Sequence, residues 1–165
     1  MPPKIVLFGV FAMLILMASL FFAKKGRNFM NHLPLEQITY LNIVRIPVEI
    51  CLFLLYVHKA FPEMMTFETW NYDILAGISA PIVAFMLFKK ELIRPKLLLI
   101  WNCVSLVLLL NIILIAVLSA PSPFQQLGLE QPNVGVLNFP FSWLLSFIVP
   151  LVLFGHSVSL RKILH

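Results

Sequence analysis

Apolar residues run in long unbroken blocks along this chain, without the strict alternation of a half-buried strand. The first block covers residues 5–23 and is closed by Lys24, Lys25 and Arg27. Further blocks cover about 39–58, 72–88, 97–118 and 140–160. A helix needs ~20 apolar residues to cross a bilayer, and a helix that is apolar all round is one surrounded by protein or lipid. The pattern predicts an all-α polytopic membrane protein, a five-transmembrane-helix bundle in which residues 1–165 form a single integral-membrane domain.

The polar stretches between the blocks fit that reading. Residues 24–38 are expected to form a short polar loop, with Pro34 and Glu36 opening the second helix. Residues 60–71 mix Met64, Met65, Phe67 and Trp70 with Glu63 and Glu68. That mixture suits a segment at the membrane interface, with Trp70 and Tyr72 in the aromatic belt. Asn71 is a candidate N-cap for the third helix, with Asp73 in its first turn. Residues 119–139 carry Pro121, Pro123, Gly128, Pro132 and Gly135 and read as irregular. The first block is not a cleaved leader in this reading, because Phe21 stands where a small residue is wanted before Ala23.

Composition narrows the class. The chain of 165 residues is 61% hydrophobic and 12% charged, whereas a soluble domain is near half apolar and a quarter charged. So little charge does not cover a water-facing surface, and so much apolar content excludes disorder. Five crossings leave no room for a separate soluble domain.

The net charge of +5 raises nucleic acid as a partner until the basic residues are placed. Lys24, Lys25, Arg27, Lys89, Lys90, Arg94, Lys96, Arg161 and Lys162 all fall on one side of a five-span layout, against Lys4 and Lys59 on the other. This is the positive-inside pattern. It predicts an outside N-terminus, a cytoplasmic C-terminus and residence in the cell (inner or plasma) membrane. The basic residues are thereby accounted for, and nucleic acid is not expected as a partner.

The candidate chemistry lies in the second block. Asn42, Arg45 and Glu49 share one helical face, and Tyr56 continues it outward. Each charge costs ~2.5–3.5 kcal/mol at mid-bilayer on insertion scales. The sequence must compensate by pairing or hydration. Pro47, between the two charges, leaves the Ile43 carbonyl without its helical donor. Three readings follow. Arg45 and Glu49 form a structural clamp, or they line a polar cavity, open to the cytoplasm, for an ion, a proton or an anionic solute, or they make an assembly contact with another subunit.

Depth along the helices, at ~1.5 Å per residue, puts Asn102, Ser105 and His156 at levels comparable with Arg45. Arg45, Glu49, Asn102 and His156 are expected to converge. Asn111 is expected to make a separate packing bond. Gly77, Ala80 and Ala84 form a small-residue stripe for helix packing, and Pro47, Pro81 and Pro150 predict kinks.

Other chemistry is thin. No nucleotide-binding, zinc-protease, hydrolase or lipidation motif occurs. Cys51 and Cys103 lie in apolar blocks and form no CxxC pair, so no disulfide is expected. His58 and His156 fall at opposite membrane faces, which argues against a haem between them. No cofactor and no metal are expected. A membrane enzyme would have only Cys103 and Ser105 as nucleophiles near the polar face. The expected function is a non-catalytic structural, assembly or complex subunit. The alternative is a small transporter or channel-like protein. The expected partners are the bilayer and a second copy or another membrane protein.

Overall fold

The computed structural model describes residues 4–89 and 95–164. Among these residues every regular element is helical. Helix α1 (Lys4–Phe22) turns through 89° into α2 (Lys24–His32). Then come α3 (Leu35–Val57), α4 (Asp73–Leu87), α5 (Pro95–Ser119) and α6 (Leu144–Leu164). Three of these, α3, α5 and α6, are long and apolar enough to cross a membrane, and the bent pair α1–α2 makes up to four. Helix α4 is apolar but shorter.

Two boundaries differ from the sequence reading. Residues 24–32 are helical, where a loop was expected. This segment is too polar to enter apolar surroundings lengthwise, but Met30 and Gly26 are buried while its charges face outward. Amphipathic spacing at that scale is easily lost in a nine-residue stretch rich in Lys, Arg and Asn. Helix α3 starts at Leu35, before the expected position 39, immediately after the extended Pro34. Lys90 and Arg94, two of the residues behind the charge-based orientation, lie outside the described residues.

Two of the prolines follow a local change of helix type. Before Pro47 the chain tightens into a 3-10 turn at Asn42–Val44, and the Arg45 N–H donates back to the Asn42 carbonyl. Before Pro150 the chain widens into a π turn at Leu144–Ile148. Both follow from a proline that neither donates to, nor clears, the carbonyl four residues earlier. Pro81 sits inside α4, which runs on as α-helix to Ala84 and then widens into a π turn at Phe85–Lys89.

Helices α3, α5 and α6 pack around one core, α4 lies against α3 and α5, and α1 lies against the first turns of α6. Leu52, Phe61, Met65, Leu109, Ile112 and Val152 form the centre of that core. The small-residue stripe of α4 is buried throughout, from Ala76 to Ala84. It faces α3, and a Cβ on Gly77 would come within 2.9 Å of Ile46 Cγ1 and 3.3 Å of Arg45 Cβ. Glycine therefore lets α4 close onto the stretch of α3 that carries Arg45.

Outward-facing positions remain apolar: Ile82, Ile100, Val107 and Leu114 are more than half exposed. Contiguous apolar surface of this kind marks contact with lipid or another protein. The segment between α5 and α6 folds back over the end of α3. Gln131 Nε2 donates to the carbonyls of Tyr56 and Phe61, the Gly135 N–H donates to Ala60 O at 3.0 Å, and Asn133 Nδ2 donates to Ala116 O at 3.2 Å.

Candidate functional site

Arg45 is the hub. Its side chain is 2% exposed, and its guanidinium reaches three other helices. Nη1 pairs with Asp73 Oδ1 of α4 at 2.9 Å and donates to the Ser105 carbonyl of α5 at 3.0 Å. Nη2 donates to His156 Nε2 of α6 at 2.7 Å. A guanidinium only donates, so Nε2 accepts and the ring proton belongs on Nδ1. Nδ1 in turn meets Asn102 Oδ1 at 2.8 Å, and Asn102 Nδ2 donates to Ser159 Oγ at 2.8 Å. The chain of bonds runs Asp73–Arg45–His156–Asn102–Ser159 and crosses the bundle from α4 to α6.

Glu49 is buried beside this chain but outside it. Its Oε2 accepts from Asn71 Nδ2 at 2.6 Å. Asn71 also donates to the Met65 carbonyl, and its Oδ1 accepts the Asp73 N–H at 3.0 Å. The N-cap of α4 is Tyr72, one residue after the position the sequence suggested, and Asn71 instead links Glu49 to the turn that presents Asp73. Among the described residues, Glu49 Oε1 and Arg45 Nε have no hydrogen-bond partner.

The sequence-derived candidates divide clearly. Arg45, Asn102 and His156 converge. Ser105 contributes its backbone carbonyl to the same centre. Among the described residues, Arg45 forms its ion pair with Asp73, not with Glu49. Asn42 is buried, yet its Nδ2 bonds only to the carbonyls of Ile38 and Thr39 on its own helix. Tyr56 lies away from the centre, its ring 6.5 Å from Phe53 and its carbonyl bonded to Gln131. Asn111 makes the expected separate bond, to the Trp70 carbonyl at 2.9 Å.

Three residues of the site were not anticipated: Asp73, Asn71 and Ser159. Asp73 had looked like an aqueous first-turn acid. Nothing local to the sequence marked them: each joins the site through a bond to a residue at least 22 positions away.

A cavity of about 60 Å³ adjoins the polar centre. Arg45, Glu49 and Asp73 line one part of it, and apolar side chains including Leu52, Phe61, Leu109, Ala116 and Val152 line the rest. It extends toward Phe61, Met65 and Val136, away from the end that carries Arg161 and Lys162. That is the opposite direction from a cavity opening at the basic end.

Residues 2–164 match the model of a family described as a domain of unknown function (DUF8737). The chain belongs to this family. The match spans the whole polar centre and the cavity, so both lie inside the family's own domain. No curated protein and no solved structure matches the chain. Among the described residues, no group of three or more His, Cys, Asp or Glu side chains is arranged to hold a metal ion.

Proposed function

We propose that this chain is a non-catalytic protein of the cell membrane, a structural or assembly subunit whose polar centre clamps its helices together. The observation that carries the reading is the bonding of one guanidinium to α4, α5 and α6 at once, at 2.9, 3.0 and 2.7 Å. In lipid, helices gain little from hydrophobic burial against each other, so packing and interhelical polar bonds determine their arrangement. A charge with partners on three neighbours defines the register of all four helices.

The same reading takes the chain across the bilayer five times, with the N-terminus outside and the C-terminus in the cytoplasm. The 89° bend between α1 and α2 favours α1 as a crossing and α2 as a segment along the surface. Arg27 and Asn31 of α2 line one surface pocket with Arg161 and Lys162 of α6. This supports a single basic end, which the positive-inside rule assigns to the cytoplasm.

A second reading, passage of an ion, a proton or an anionic solute, draws support from the unpartnered Glu49 Oε1 beside the cavity. The experiment that separates the two is accessibility at position 49. Glu49→Cys, made with Cys51 and Cys103 replaced, is exposed in intact membranes to a water-soluble thiol reagent from each side. The clamp reading expects no labelling from either side within minutes. Rapid labelling from one side would replace it with the solute-pathway reading.

A further inference from the structure

We infer that the basic pocket between α2 and α6 is a binding site for a phosphomonoester. Its walls are Arg27 and Asn31 of α2, Arg161 and Lys162 of α6, and Phe21 near the end of α1. Three of these five side chains are cationic and none is acidic. Among the described residues, none of the three cations forms an ion pair. Like charges gathered in one hollow repel each other, and an anion placed there relieves the repulsion. The volume of about 650 Å³ falls within the ~300–1,000 Å³ of small-molecule sites.

The backbone behind the pocket is held in place. Arg27 and Asn31 stand four apart, on one face of α2, while Gly26 and Met30 beside them are buried. A Cβ on Gly26 would collide with the Leu20 backbone, so glycine lets α2 close against the end of α1. Met30 joins Ile38 of α3 and Val158 of α6 in a buried cluster, and Phe21, Leu33 and Phe154 pack against it. The rings of Phe21 and Phe154 meet edge to face, 6.3 Å between centroids. Lys162 Nζ donates to the Leu33 carbonyl, which ties the end of α6 to the link between α2 and α3. The helices that carry the cations are thereby fixed relative to each other.

The charges select the ligand. A phosphomonoester carries about −1.5 to −2 at pH 7 and offers three acceptor oxygens. Two guanidinium forks match such oxygens in pairs. Arg27 Nη1 also donates to the Phe22 carbonyl at 3.2 Å, but Arg27 and Lys162 each retain further N–H groups, and the Asn31 amide adds two more. A carboxylate or a phosphodiester brings a single charge to three cations.

Two sources present this group. In the membrane reading, on which only the choice of source rests, the basic end lies at the cytoplasmic face. Basic pockets between helices on that side take up anionic lipid headgroups. Phosphatidic acid presents a phosphomonoester from the bilayer, and sn-glycerol 3-phosphate presents the same group from water.

The test uses the full chain in a neutral detergent and counts bound lipid by native mass spectrometry. Phosphatidic acid, phosphatidylserine and phosphatidylcholine with identical acyl chains are offered in equal amounts. One phosphatidic acid per chain should be retained, with a preference of about tenfold over either diester. Arg27→Gln together with Arg161→Gln should remove that preference. Lys24→Gln together with Lys25→Gln takes the same number of charges from exposed positions of α2 outside the pocket and should leave it intact. Asn31→Asp, at an exposed position, sets a carboxylate among the cations and should lower it. Excess sn-glycerol 3-phosphate decides the source: displacement of the lipid assigns the site to a soluble ester, and persistence assigns it to the lipid.

Equal retention of the three lipids, or equal losses from the two double variants, would overturn the inference. The lipid comparison needs no variant, so it stands even where a variant fails to fold. Thiol labelling at position 49 tests the clamp at a separate place, so either idea fails without the other.

Discussion

Arg45 and Asp73, 28 residues apart, meet at 2.9 Å, while Glu49, one helical turn from Arg45, is held by Asn71 instead. The two carboxyls therefore have different jobs. Asp73 neutralises the hub and fixes the start of α4. Glu49 ties α3 to the turn at Asn71. Truncating the two should give different results. Asp73→Ala leaves a buried guanidinium short of its counter-charge, which costs about 3–5 kcal/mol in comparable cases, and should sharply lower the melting temperature in detergent. Glu49→Gln keeps an acceptor for Asn71 and should cost about 1 kcal/mol or less. Thermal unfolding of the two purified variants checks the contrast.

The relay through His156 makes a coupling prediction. His156→Phe leaves Arg45 Nη2 without its acceptor and Asn102 Oδ1 without its donor. A loss of about 1–3 kcal/mol is expected for such orphaned groups. Asn102→Ala removes the far end of the same relay. Because the two residues share one bond at 2.8 Å, the double variant should lose less than the sum, by about 0.5–3 kcal/mol. Strictly additive losses would mean that the histidine and asparagine act independently.

Gly77 governs how closely α4 approaches the hub. Gly77→Val places branched carbon where Ile46 Cγ1, 2.9 Å from the first added atom, already sits. Overpacking of this kind costs about 1–3 kcal/mol and should push Asp73 away from Arg45. Two substitutions made together, Gly77→Val and Ile46→Ala, should recover part of the loss, as measured by thermal unfolding. No recovery would show that the contact is not the cause.

The orientation predicts where tags report. A reporter joined after His165 should read as cytoplasmic, and one inserted at Leu129–Glu130, both exposed, should read as external. The reverse result would invert the topology without disturbing the clamp.

Much of the helical pattern was legible in sequence because long apolar blocks have few ways to fold. Apolar blocks gave the helices, and Pro47 and Pro150 marked where two of them tighten or widen. The convergence of Arg45, Asn102 and His156 followed from depth along straight helices. What depth alone missed was the pairing. Spacing of four made Glu49 the obvious partner for Arg45, but a side-chain pair on one helix faces competition from every neighbour. Here α4, brought close by Gly77, presents Asp73 instead. Asn71 hid for a related reason. An expected capping role accounted for it in sequence, and nothing local announced that its amide reaches Glu49. The cavity, formed by residues from α3, α5, α6 and two connecting segments, has no linear signature.

The most direct test of the central claim is a double-mutant cycle on the hub: Arg45→Leu, Asp73→Leu and the two together, with unfolding free energy measured in the same detergent. If the pair clamps the bundle, each single change strands a buried charge, and the double variant is more stable than either single one. If the two losses simply add, Arg45 and Asp73 do not hold each other and the clamp is contradicted.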